Sequence, residues 1–161
     1  VAGKRDIAWV ADKIVAQLRT SLAGVLTGLE VEYADGVDLE VIPNSHFFIS
    51  ERQKLPAFPL VCVIPDNTDA LPFSGEVRYD IEYHYLTVAV ARTANKDEDT
   101  LKRQTLRTVR GIEEVFLDHR TLGGSVDDVL ILTKEYGPLL TAQDSMLQEG
   151  QITVRVQTRV E

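Results

Sequence analysis

Cysteine is all but absent. Cys62 stands alone among 161 residues, so no disulfide can form within the chain. It lies inside the run Leu60-Val61-Cys62-Val63-Ile64, where a buried structural thiol is expected rather than a nucleophile. A reducing cytosol is the expected place of synthesis. No apolar run approaches the roughly 18 residues of a membrane-spanning helix, and no membrane partner is expected. Val1 to Asp6 lack the apolar stretch of a signal peptide. The chain also lacks a phosphate loop, a dinucleotide fingerprint, paired Cys-x-x-Cys motifs, His-Glu-x-x-His and Gly-x-Ser-x-Gly. Its three histidines, His46, His84 and His119, are far apart in unrelated contexts. The residues therefore point to no catalytic centre, no cofactor and no metal site.

What is present is ordinary for a soluble fold: 44% hydrophobic and 26% charged residues. The length suits one domain over 1–161 with a full core. A formal net charge of −8 argues against a general nucleic-acid binder. It fits either simple solubility or a surface that stays near DNA without holding it.

Ile7, Val10, Ala11, Ile14, Leu18, Leu22 and Val25 recur at helical spacing. With Asp6 as N-cap and Gly24 and Gly28 near the end, they predict a helix from about Asp6 to Ala23. Trp9 falls off that stripe, placing it against a neighbouring element or a second subunit. From Leu29 the period becomes two. Leu29, Val31 and Tyr33, then Asp35-Gly36, then Val37, Leu39 and Val41 read as a hairpin. Its acidic face, Glu30, Glu32, Asp35, Asp38 and Glu40, lacks the spacing of a Ca2+ loop and reads as solvated.

Pro43 to Pro59 reads as an irregular crossing, and Leu60 to Ile64 as a central strand ended by Pro65. Asp66 to Gly75 is expected to be an exposed loop, long at about ten residues. Val77 to Arg92 is the longest strand, with Val77, Tyr79, Ile81, Tyr83 and Tyr85 on one side. A bulge near Leu86-Thr87 is expected to shift the phase so that Val88 and Val90 continue the apolar side. His84 is expected at the surface.

Asn95, with Glu98 as its capping partner, opens a second helix of about twenty residues. Leu101, Thr105, Val109, Ile112 and Phe116 form its buried stripe, and Lys102, Arg103, Arg107 and Arg110 a basic outer face. That face could meet DNA phosphates, but interspersed acids favour solvent or a subunit contact. Gly123-Gly124 end the helix. They precede a strand, the wrong order for an anion site. Val126 to Tyr136 and Glu149 to Val160 are two further strands, expected to pair.

The order of these elements resembles the tail-terminator (tail-completion) proteins of long-tailed bacteriophages. The residues that carry it are Phe58-Pro59-Leu60-Val61-Cys62-Val63, Tyr83-His84-Tyr85-Leu86-Thr87-Val88, Leu101 through Phe116, Leu122-Gly123-Gly124-Ser125-Val126 and Ile152-Thr153-Val154-Arg155-Val156. The resemblance spans roughly Phe58 to Val160, and Leu29 to Ile42 have no counterpart in it.

The elements together imply an α+β fold, a mainly antiparallel sheet of about four to six strands with two helices packed on one face. The resemblance implies a homo-oligomeric ring, commonly a hexamer, that caps the tail tube, halts tube growth and offers a docking face to a head-completion or neck protein. DNA would pass through its lumen without sequence-specific binding. Candidate contacts on and beside the two long loops, Asp66 to Gly75 and Gly137 to Gly150, are Asp66, Asn67, Asp69, Leu71, Phe73 and Glu76, and Leu139, Thr141, Asp144 and Met146. The alternatives are a head-completion or neck subunit and, from another class, a monomeric α+β ligand-binding domain.

Overall fold

A computed structural model describes residues 5–49, 58–71, 80–94, 97–142 and 145–160. Helix α1 spans Ile7–Tyr33. It opens on Asp6, whose carboxylate accepts the Trp9 N–H at 2.9 Å. It therefore runs well past Ala23, through the residues read above as the first hairpin strand. Leu22, Leu26 and Leu29 simply continue the stripe of Val10, Ile14 and Leu18, and all are buried. Burying two further leucines outweighs two interior glycines at about 1 kcal/mol each. Trp9 packs on its own core, with Arg5 and Lys13 5.5 and 5.3 Å from the ring centre.

The turn at Asp35-Gly36 is real, with Ala34 and Gly36 at φ 48° and 78°, but no hairpin surrounds it. Residues 37–43 cross the helix layer without a strand partner. Leu39 and Ile42 are buried, and side chains serve the backbone. The Leu39 N–H donates to Glu30 Oε1, Gln104 Nε2 to Asp38 O, and Arg92 Nη2 to Glu40 O.

Strand β1, Phe47–Ile49, pairs in parallel with β2, Leu60–Leu71. Strand β3 is Asp80–Ala94, helix α2 Glu98–Asp118, and β4, β5 and β6 are Asp128–Tyr136, Leu140–Ala142 and Ser145–Val160. The sheet order is β1-β2-β3-β6-β4, with β5 also on β6, and every pair but the first is antiparallel. Both helices cover one face, against Val61, Val63, Leu86, Val88, Val90, Ile152, Val154 and Val156. The α+β reading is correct.

Four local expectations are not met. Pro65 does not end its strand: β2 continues to Leu71, and a register shift between Pro65 and Asn67 absorbs the missing N–H. β3 carries no bulge, because its register with β6 is continuous from Asp80 to Ala94. His84, Leu86, Val88, Val90 and Arg92 all face the helices and are buried, while Tyr83, Tyr85 and Thr87 face away. His84 is thus a core residue. Finally, Asp97 caps α2, accepting from the Thr100 N–H and hydroxyl at 3.2 and 2.6 Å. Asn95, Val77 and Tyr79 lie outside the described residues.

The stripe Leu101, Thr105, Val109, Ile112 and Phe116 is buried as expected. Leu122, Gly123 and Gly124, at φ 47°, 71° and 87°, turn the chain back into β4.

Phe116, 1% exposed, is expected to lose about 3–5 kcal/mol of stability on Phe116→Ala in chemical denaturation. Gly24 and Gly28 have nothing within 4 Å of an added Cβ, so Gly24→Ala and Gly28→Ala should each stabilise by about 0.5–1 kcal/mol. Gly150→Ala should do the reverse by about 1–3 kcal/mol, since its Cβ would stand 2.7 Å from Val109 Cγ2.

Candidate functional site

The two groups of candidate contacts lie at opposite ends of the sheet. Leu71 pairs with Ile81 near the start of β3, while Thr93 near its end pairs with Leu147. Twelve residues at strand rise separate these points by roughly 40 Å. Asp66, Asn67 and Asp69 are exposed, but they belong to β2 rather than to a loop. Asn67 and Asp69 pair with Tyr85 and Tyr83, and the Thr87 hydroxyl donates to Asp66 at 2.8 Å. At the other end, Thr141 is in β5 and Met146 in β6, so the expected second loop is largely sheet. Phe73, Glu76 and Asp144 lie outside the described residues.

The helix-free face runs across β2, β3 and β6. Tyr83, Tyr85 and Thr87 stand beside Gln157, Arg155 and Thr153, with the Arg155 guanidinium 4.5 Å from the Tyr83 ring centre. This face meets the sheet's outer edge at β4, which pairs only with β6 among the described residues. Leu130 and Leu132 on β4 are 39% and 41% exposed, Tyr136 47%, and Leu140 on β5 49%. Leu132 falls at the register shift between Ile131 and Thr133, where the ladder skips one residue. An unpaired edge lined with apolar groups is a ready surface for another chain.

Sequence reasoning missed this edge. The signal was the run Val129-Leu130-Ile131-Leu132: once helices cover a single face, a strand with consecutive apolar residues must leave some in solvent. Beside it, an open groove of about 480 Å³ separates the start of α2 from the β4–β5 turn. Leu106, Tyr136 and Leu139 line its apolar part, and Glu98, Asp99 and Lys102 its rim.

The basic face of α2 is already neutralised. Arg103 reaches Asp99 at 2.9 Å and Asp35 at 3.5 Å. Arg110 reaches Glu113 and Glu114 at 2.6 and 3.3 Å. Arg107 donates twice to Asp35 and stacks 4.0 Å from the Tyr33 ring centre. Those hydrogen bonds hold the Asp35 carboxyl well below the usual carboxylate range and raise Arg107. Lys102 is exposed at the groove rim. Arg103 and Arg107 tie α2 to the turn after α1, Arg110 is paired within α2, and the three do not form a free phosphate-binding row.

Arg92 is only 3% exposed, and burial lowers its pKa to about 10. It remains charged at neutral pH, donating to Thr108 Oγ1 at 2.9 Å as well as to Glu40 O. Among the described residues no cluster of three or more His, Cys, Asp or Glu is arranged to hold a metal. Among the same residues no helix is long and apolar enough to cross a membrane. Ser21 Oγ lies 3.5 Å from His119 Nε2 and accepts from Gln17 Nε2 at 2.7 Å.

No family model and no curated protein matches this chain. Among solved structures, a chain of "Virion of native gene transfer agent (GTA) particle" is similar, at 12% identity and a TM-score of 0.38. The match covers 87% of this chain and 94% of that one. A likeness that distant leaves the function to be argued from the residues.

Because the Asp35 carboxyl is depressed by Arg107, its stabilisation is complete above the ordinary carboxylate value near 3.8 and is lost as pH falls below it. Asp35→Asn is therefore expected to lower the unfolding midpoint at pH 7 and to flatten its fall below pH 4, as followed by circular dichroism.

Proposed function

We propose that this chain is a non-catalytic virion structural subunit that works by assembly. In this reading it forms a ring on the end of a phage tail tube. The ring buries the surface on which the next tube ring would add, and presents its other side to a head-completion or neck protein. DNA passes through the lumen, where the acidic composition disfavours phosphate binding.

The observation that carries the reading is the open β4 edge with Leu130, Leu132 and Tyr136 in solvent. A ring needs a heterologous contact, one surface of a subunit meeting a different surface of the next. An apolar edge strand supplies one half of such a contact. The ordered resemblance to tail terminators from Phe58 to Val160 supplies the particular assembly. The groove lined by Leu106, Tyr136 and Leu139 adjoins the same edge, and a neighbouring subunit's apolar side chain would fill it.

Light scattering is expected to give a closed oligomer for the wild type. The double variant Leu130→Asp with Leu132→Asp should give a folded monomer. Leu130 and Leu132 are 39% and 41% exposed, so the lost burial and strand propensity should cost about 2–4 kcal/mol, and circular dichroism checks that the variant is folded. Electron microscopy of tail tubes grown with the wild type should show shortened, capped tubes, and the variant should cap none. Tubes that grow equally long with folded wild type would sink the terminator reading. Capped tubes with an unchanged variant oligomer would move the contact away from β4.

A further inference from the structure

His84 is fully buried, 0% exposed, close to one end of the sheet. Its ring spans three adjacent strands. Nδ1 lies 2.9 Å from Thr68 Oγ1 on β2, and Nε2 lies 3.0 Å from Thr158 Oγ1 on β6. A neutral imidazole has one donor and one acceptor nitrogen, and a hydroxyl can play either part, so all three groups are satisfied without charge. Same-face neighbours across the strands are Thr68, Val156 and Thr158, none of them charged. The charged groups acting on the ring are Glu82, with Oε2 3.5 Å from Nε2, and Asp6 before α1.

We propose that His84, Thr68 and Thr158 form a proton-sensitive latch: neutral, it holds the ends of β2, β3 and β6 together, and protonation releases them. An imidazolium gains from Glu82 and Asp6 but loses its hydration inside the sheet. Burial is the larger effect and pushes the ring's pKa down from its ordinary value near 6.5. The sign follows. An opened strand end, where the ring is hydrated, binds the proton more readily than the closed one. Opening is therefore favoured as pH falls below about 6.5. The strand end that is freed carries Asn67 and Asp69 on the helix-free face, so acid would loosen one of the candidate contact regions. The latch itself does not depend on the assembly reading.

Hydrogen exchange at pH 7.5 and pH 5.0, corrected for intrinsic rates, tests this. Amides of residues 66–70, 81–85 and 155–159 should lose protection at the lower pH by up to about thirtyfold, the limit set by an exposed imidazole. Amides of 60–63 and 88–92 should change much less. In His84→Gln, which can bond both hydroxyls without titrating, the difference between the two pH values should vanish. Equal protection of the strand ends at both pH values in the wild type would overturn the latch, as would a pH response that persists in the variant. Should His84→Gln not fold, nuclear magnetic resonance titration of the wild-type ring decides. A ring that protonates near pH 6.5 with the strand ends still protected also overturns it.

Discussion

The closeness of α2 to its neighbours is the constraint on which the rest of this molecule depends, and two glycines set it. Gly111 faces α1, where an added Cβ would stand 2.9 Å from Leu26 Cδ2. Gly150 faces α2 from β6, with Val109 2.7 Å from the same imagined atom. The helix is thus held tight on both sides, and its stripe from Leu101 to Phe116 fills the space between α1 and the sheet. Since Leu26 is one of the residues pressed on Gly111, α1 must extend that far to complete the layer. A glycine in one helix thus sets how closely Leu22, Leu26 and Leu29 of the other can approach.

Polar fastening then follows the apolar layer. Residues 34–43 have no strand partner, so their carbonyls at Asp38 and Glu40 take Gln104 and the buried Arg92 instead. Asp35, at the head of the same segment, takes Arg107. Glu113, buried in α2, is shared by Arg110 and by Lys134 of β4. Arg103, Arg107 and Glu113 of α2 hold neighbouring segments, while Arg110 is paired within the helix. A row of cations on a helix is therefore a poor guide to nucleic-acid binding until its acids have been located.

How far the sequence was legible varied with local context. α2 could be read because a single period governs its stripe, and β6 from Glu149 onward for the same reason, although the strand starts four residues earlier, at Ser145. The hairpin misreading arose because Leu29, Val31 and Tyr33 satisfy a period of two while Leu22, Leu26 and Leu29 satisfy a helical one, and only packing against Gly111 decides between them. The phase of β3 was misassigned because His84 occupies a buried position that pattern reading gives to an apolar residue. Tyr83 and Tyr85 on the other side made the helix-free face look like the core. Pro65 looked terminal because a missing N–H matters only where a partner needs it, and a register shift removes the need. Of the candidate contacts, Asp66, Asn67, Asp69 and Thr141 are exposed, but in strands β2 and β5 rather than in loops. The apolar β4 edge was invisible until it was known which face the helices cover.

The pairing of β3 with β6 has a mechanical side. All fifteen residues of β3 face a partner on β6 without a register break. The hydrogen bonds of an antiparallel ladder lie across the strands. Tension along the strands therefore loads the whole ladder in shear, and many bonds must yield together. Tension across the strands would open the same ladder like a zip, one bond at a time. The sheet is stiff along one axis and weak along the other, so a load-bearing assembly of this chain would hold best with β3 and β6 aligned to the pull.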